Sequence, residues 1–206
     1  PKAGKLTVTR DWLYNGNTIR ISGNAVSRTV KTINVYTSKD FFFTVFRERL
    51  AKKGISFSAN TWGVLPDTAS VLLGSVKRSL FPVLKRALKK SDNLCAEALF
   101  YHLAANYSRE RWAGTKEGQE AIYQFMRTEL GFNPSDYRIM DGSGVSLYNY
   151  ISPELLLAYL KYAYYHSSVF QPFYEALPIA GIDGTLQHRM KIGKAYRNVR
   201  AKTGTV

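Results

Sequence analysis

The rhythm of hydrophobic and polar positions changes near residue 75. Before that point short runs rich in Thr, Ile and Val dominate. Leu6 to Thr9, Thr18 to Ser22 and Lys31 to Tyr36 read as strands, Asn15-Gly16 as a tight turn, and Val71 to Leu73 as a further short strand. One helical pattern interrupts them, from Lys39 to Lys53. It places Phe42, Val45, Phe46 and Leu50 on one face, with Ser38 to cap the start and Gly54 after the end.

From about residue 76 the spacing is mainly helical. Leu80 to Lys89, Asn93 to Tyr107 and Lys116 to Leu130 read as helices, the last flanked by Thr115 and Gly131. Ser152-Pro153 opens another that runs to Tyr165, a capping serine followed by the proline favoured at the first helical position. A Gly-rich loop spans Ile179 to Leu186, and Asn198 to Val206 reads as a strand. There is no internal repeat and no low-complexity tract. The pattern predicts a mixed α/β (α+β) chain: a β-rich part over 1–75, then a helical cluster with a sheet strand over 76–206.

Composition narrows the class. With 206 residues, 45% apolar and 21% charged, the chain is long enough to bury a core and is not largely disordered. No apolar run approaches the roughly 18 residues of a membrane helix; the best, Leu155 to Leu160, is cut off by Lys161. The single cysteine, Cys95, excludes an internal disulfide and a multi-cysteine zinc cluster. Subtracting 15 acidic from 29 basic side chains leaves +14, which attracts polyanions. The basic residues are scattered, however, with short clusters only at Lys85-Arg86, Lys89-Lys90 and Arg109 to Arg111, so nucleic acid is not the expected partner. The chain begins at Pro1 with no apolar targeting segment and stops at Lys202-Thr203-Gly204-Thr205-Val206 in a strand-like pattern. It reads as a piece of something longer.

Two short motifs could carry chemistry. Ser91-Asp92-Asn93 lies between a basic helix end and a new helix, where all three residue types are favoured caps. Lys202-Thr203-Gly204 fits an active-site strand: a lysine to attract a carboxylate, a hydroxyl to bind it, and a glycine over which substrate backbone can approach. Either alone has a structural reading, as a helix start or an ordinary strand. Together and in this order they match the second and third motifs of β-lactamases and penicillin-binding proteins.

The surrounding words narrow the match. Ser91-Asp92-Asn93-Leu94-Cys95-Ala96-Glu97-Ala98-Leu99, Asp141-Gly142-Ser143-Gly144-Val145-Ser146, Tyr148-Asn149, Ser152-Pro153 and Pro178-Ile179-Ala180-Gly181-Ile182-Asp183-Gly184-Thr185-Leu186 follow one another. This arrangement resembles the D-alanyl-D-alanine carboxypeptidase/endopeptidase family, the class C low-molecular-mass penicillin-binding proteins. The resemblance covers 76–206 strongly and 1–75 loosely, the latter as the C-terminal part of the β-rich domain that this family inserts in its β-lactamase/transpeptidase-like domain.

One departure stands out. None of the sixteen serines has lysine three positions later. The family's Ser-x-x-Lys, which supplies the acylated serine and its lysine partner, lies N-terminal to the inserted domain. Its absence fits a chain truncated at the N-terminus, since the other two motifs are intact.

The resemblance implies acyl transfer. The absent serine attacks the penultimate D-alanine carbonyl of a peptidoglycan peptide, D-alanine leaves, and water takes the acyl group. Ser91, Asn93 and Lys202 are the expected catalytic residues: Ser91 as proton relay, Asn93 holding the peptide carbonyl and the catalytic lysine, Lys202 recognising the terminal carboxylate. Thr203, Gly204 and Thr205 are the expected substrate-binding residues, with the Thr205 N–H as half of the oxyanion hole. The resemblance also implies no cofactor and no metal, β-lactam antibiotics as inhibitors of the full-length protein, and a periplasmic or envelope location with a signal peptide upstream. Two rivals stand beside it: a β-lactamase-like hydrolase of the same superfamily, and a non-catalytic basic module binding wall polymer or nucleic acid.

Other residues have structural readings. His102, His166 and His188 share no metal-ligand spacing. Asp141-Gly142-Ser143-Gly144 lacks the Gly-x-Ser-x-Gly form of a nucleophile loop and reads as a turn. Cys95 falls on an apolar helix, and Tyr162, Tyr164 and Tyr165 read as helix packing.

Overall fold

The computed structural model describes residues 6–11, 13–56, 63, 71–110 and 112–204. The chain divides into two compact units, Pro1–Leu73 and Gly74–Val206.

In the first unit β1 (Thr7–Arg10) pairs antiparallel with β2 (Ile19–Ser22), in the register Thr7↔Ser22, Val8↔Ile21, Thr9↔Arg20 and Arg10↔Ile19. The Thr7 and Ser22 hydroxyls lie 2.5 Å apart and reinforce the open end of the ladder. The expected strand at Lys31 to Tyr36 does not form. A side chain takes the place of a neighbouring strand there: the Asn17 amide donates to the Tyr36 carbonyl at 2.9 Å, and its oxygen accepts the Tyr36 N–H at 2.7 Å. Val71 to Leu73 is likewise no strand; all three residues are exposed, and none pairs with a described residue.

Helix α1 (Ser38–Ala51) matches its apolar spacing but buries no residue. Its cap residue is Thr37, at φ 54°, rather than Ser38, and no side chain closes the end. Phe42 stacks on Phe46 with centroids 6.0 Å apart.

The second unit is a helical cluster. It comprises α2 (Leu80–Lys90), α3 (Asn93–Ser108), α4 (Thr115–Phe125), α5 (Pro153–Tyr165) and α6 (Ser167–Ala176). α3 packs on α2 and α4, and α6 on α2 and α5. Phe100, Ala104, Met126, Leu155 and Leu186 form the centre of the core, each at most 4% exposed. Gly118 on α4 lets α3 approach: a β-carbon there would stand 2.6 Å from the Phe100 ring. Ser152 caps α5 as its sequence predicts, accepting the Leu155 N–H at 3.2 Å, worth about 1 kcal/mol.

The last turn of the predicted helix ending at Leu130 opens into a π-helical turn, Met126–Leu130, stopped by Gly131 at φ 72°. The strand expected from Asn198 reduces, among the described residues, to one antiparallel bridge, Ile179↔Arg200. A second bridge, Arg138↔Tyr150, closes the base of the Asp141 loop. No helix among the described residues is long and apolar enough to cross a membrane.

Candidate active site

Helix α2 ends because Ser91 turns left-handed, at φ 53° and ψ 48°, while its N–H still bonds to the Ala87 carbonyl. α3 begins two residues later. Asp92 is its N-cap and accepts the Cys95 N–H at 3.1 Å. The same carboxylate pairs with Arg86 Nε at 2.6 Å. The Cys95 N–H, then Arg86, hold the Asp92 carboxyl below its ordinary range. Asp92 therefore secures the corner, leaving Ser91 and Asn93 exposed on either side of it.

The segment carrying Lys202 is laid beside this corner by backbone pairing. Ala180 N–H bonds to Val199 O at 2.9 Å, Arg197 N–H to Ala180 O at 3.0 Å and Ala201 N–H to Pro178 O at 3.2 Å. The Arg200 guanidinium stacks 4.0 Å over the Tyr174 ring and donates to the Tyr174 carbonyl at 3.0 Å. Pro178 and Ala180 are fully buried, so Val199 to Ala201 run along a fixed edge.

The result is contact between the two motifs. Lys202 Nζ donates to Ser91 Oγ at 2.8 Å and also to the Thr203 carbonyl. An ammonium on a serine hydroxyl can polarise it and pass a proton through it. Asn93 stands at the first position of α3, with no hydrogen bond to Ser91 or Lys202. Thr203 is half-buried, and a β-carbon on Gly204 would meet no described atom within 4 Å, leaving room above the backbone there. Thr205 lies outside the described residues.

The Asp141 loop has the turn chemistry its sequence suggests. The Asp141 carboxylate accepts from the N–H of Gly144 and of Ser146, both at 2.7 Å, and from the Asn149 amide at 3.0 Å. Burial works to raise the Asp141 pKa, but these donors outweigh it and the group titrates below its ordinary range. Glu97 on α3 accepts the Ser143 N–H at 3.0 Å and docks the loop one turn beyond Asn93. Neither Glu97 nor the ion pair between Lys89 and Asp183 was expected from motif reading. The stretches 91–99 and 178–186 contain Glu97 and Asp183, but nothing local pairs them with partners 46 and 94 residues away.

The remaining candidates keep structural roles. Tyr162 packs against Phe125 at 4.8 Å and stacks on His166 at 3.9 Å. Cys95 is half-buried, and burial first of all pushes its thiol pKa up. Among the described residues no three of His, Cys, Asp and Glu gather as metal ligands.

The helical cluster that joins a Ser-x-Asn corner to a Lys-Thr-Gly segment has a fold similar to that of penicillin-binding proteins. The chain belongs to the D-Ala-D-Ala carboxypeptidase 3 (S13) family, whose model matches residues 4–206. It is 30% identical over 165 residues to D-alanyl-D-alanine carboxypeptidase DacB of Haemophilus influenzae, covering 79% of this chain and 34% of that one. It is 26% identical to penicillin-sensitive carboxypeptidase A of Dictyostelium discoideum, covering 97% of this chain and 39% of that one. Among solved structures it superposes on penicillin binding protein 4 of Haemophilus influenzae complexed with a β-lactam. That match has a TM-score of 0.72 at 27% identity, covering 98% of this chain and 46% of the other. The chain thus spans between a third and two fifths of these curated relatives' length.

Proposed function

We propose that the full-length protein is a serine-type D-Ala-D-Ala carboxypeptidase, able also to act as an endopeptidase on peptidoglycan peptides, and that these residues supply its proton relay and carboxylate recognition. The observation that carries this reading is the 2.8 Å hydrogen bond from Lys202 Nζ to Ser91 Oγ. The nucleophile lies outside the 206 residues, because no serine here has a lysine three positions on. Residues 1–75 belong to the inserted domain and 76–206 to the transpeptidase-like domain.

In this mechanism the external serine oxygen attacks the penultimate D-alanine carbonyl carbon, and its proton passes through Ser91 to the leaving amine. The C–N bond breaks, D-alanine departs and an ester remains, which water hydrolyses by the reverse relay. Lys202 attracts the terminal carboxylate, Thr203 hydrogen-bonds it, and Gly204 leaves space for the peptide backbone. Asn93 holds the substrate amide, and the Thr205 N–H donates to the oxyanion. The substrate exists outside the cytoplasmic membrane, so the protein works in the periplasm or envelope.

The test is incubation of the full-length protein with benzylpenicillin and with a D-Ala-D-Ala peptide. The expected result is one acyl adduct on a Ser-x-x-Lys serine together with release of D-alanine. Rapid turnover of penicillin without peptide cleavage would make it a β-lactamase instead. Neither reaction, with salt-sensitive binding to wall polymer or DNA, would make it a binding module.

A further inference from the structure

Among the described residues Lys89 is the charged side chain that the core takes in: it is 8% exposed, in the last turn of α2. Its Nζ donates to Asp183 Oδ2 at 2.6 Å. The other oxygen of Asp183 accepts the Ile179 N–H at 2.9 Å. One carboxylate thus joins a helix end to the start of the Ile179–Leu186 loop. Lys89 stands two residues before Ser91, and Ile179 bridges Arg200, two residues before Lys202. The ion pair therefore reaches both segments that carry the Ser91–Lys202 contact, at the same short distance along each.

Packing closes the same gap. Gly184 sits at φ +58°, and a β-carbon there would stand 2.6 Å from the Lys89 carbonyl oxygen and 3.2 Å from the Pro178 ring. The loop backbone lies directly on the last turn of α2, with Leu186 at 1% exposure beneath it. Burial works to raise the Asp183 pKa, but the Lys89 and Ile179 donors and the nearby Arg200 charge outweigh it, and the carboxyl stays below its ordinary range.

Stability alone is a poor reason to keep such a pair. Taking the Lys89 charge out of water costs much of what its attraction to the part-exposed Asp183 carboxylate returns, and apolar replacements of similar volume are often neutral or better. What an ion pair supplies that a leucine pair does not is a fixed registry between two elements.

We propose that Lys89 and Asp183 form a positioning clamp that sets the distance between Ser91 and Lys202 for acyl transfer. They touch neither substrate nor reacting atoms and act through the two residues they hold. The proposal rests on the carboxypeptidase reading above.

The experiment compares wild type, Lys89→Met, Asp183→Asn and the double variant in the full-length protein. It measures the second-order rate of acylation by benzylpenicillin, kcat and KM for a D-Ala-D-Ala peptide, and Tm. Asp183→Asn strands the buried Lys89 charge, whereas Lys89→Met leaves a part-exposed carboxylate still bonded to the Ile179 N–H. The first should therefore lower Tm more than the second, while both slow acylation. The double strands none, so its Tm should recover towards wild type. Its acylation and kcat should nevertheless stay about tenfold or more below wild type, with KM nearly unchanged, because the registry is lost. Should the double fold poorly, Lys89→Arg keeps the charge and the partner but alters the spacing. It should retain the wild-type Tm and acylate several-fold more slowly. Rates that return together with Tm in the double, or a full rate in Lys89→Arg, overturn the clamp and leave the carboxypeptidase reading standing. A wild type that is never acylated overturns both.

Discussion

Lys202 Nζ and Ser91 Oγ meet at 2.8 Å although 111 residues separate them in the chain. The contact joins a helix corner to the chain segment following the Ile179↔Arg200 bridge, and backbone hydrogen bonds hold each side in place. Left-handed Ser91 is held by its N–H bond to Ala87, and Ala201 by its bond to Pro178. An ammonium donating to a serine hydroxyl is the arrangement a proton relay needs, so the mutational consequences are specific.

In the full-length protein Lys202→Ala should lower turnover of a D-Ala-D-Ala peptide by roughly 100-fold or more, since it removes both the carboxylate's partner and the polarising charge. Steady-state kinetics with the variant check this. A rate within twofold of wild type would remove Lys202 from the relay.

Asn93→Ala should slow the same reaction by about 100-fold through lost positioning. Asn93 has no hydrogen bond to Ser91 or Lys202, so the variant should leave Tm almost unchanged. A large fall in Tm with normal kcat would assign Asn93 to helix capping instead.

The 206-residue chain by itself should form no adduct with benzylpenicillin and release no D-alanine. None of its sixteen serines has a lysine three positions later. Ser91, the serine that contacts Lys202 among the described residues, has a relay role in the proposed mechanism and is a poor nucleophile without a dedicated base. Intact-mass analysis after incubation checks this; a stoichiometric acyl adduct on any serine of the chain contradicts it.

Acid should loosen the Asp141 loop. The folded pKa of Asp141 lies below its unfolded value near 3.8, so its contribution is fully present above that value and is lost as pH falls through the folded pKa. Tm should therefore drop more steeply below about pH 4 in the parent than in Asp141→Asn. Equal slopes would mean that the three donors around Asp141 do not favour its ionised form.

Gly142→Ala should destabilise the second unit by about 1–3 kcal/mol through overpacking. A β-carbon at that position would stand 2.5 Å from Phe100 Cβ and 2.8 Å from the Ala96 carbonyl oxygen. Urea unfolding of the variant against the parent checks this, and an unchanged midpoint contradicts it.

The sequence is legible where the physics is local. Ser152-Pro153 announces α5, and the apolar spacing announces α2 and α3 to within a residue and the start of α4, whose expected last turn is π-helical instead. Helix α6 went unread; Pro172 stands inside it and weakens its pattern. Lys31 to Tyr36 has the composition of a strand, yet an asparagine side chain occupies the Tyr36 backbone groups that a neighbouring strand would use. Ser91 and Lys202 stand out in the sequence as members of two short motifs, and the structure brings their side chains into contact. Lys89 and Asp183 do not stand out, since a lysine in a basic helix end looks solvated until the loop 94 residues away closes over it.

The left-handed backbone of Ser91, at φ 53°, has an evolutionary edge. Such a conformation costs a residue with a β-carbon roughly 1–2 kcal/mol. Glycine would relieve that cost and delete the hydroxyl in one substitution, so durability and turnover pull position 91 in opposite directions. A screen that rewards heat resistance alone should therefore enrich Ser91→Gly and, with it, silent protein. On the proposed relay role of Ser91, the corner is where this fold gives up stability to keep a hydroxyl in place.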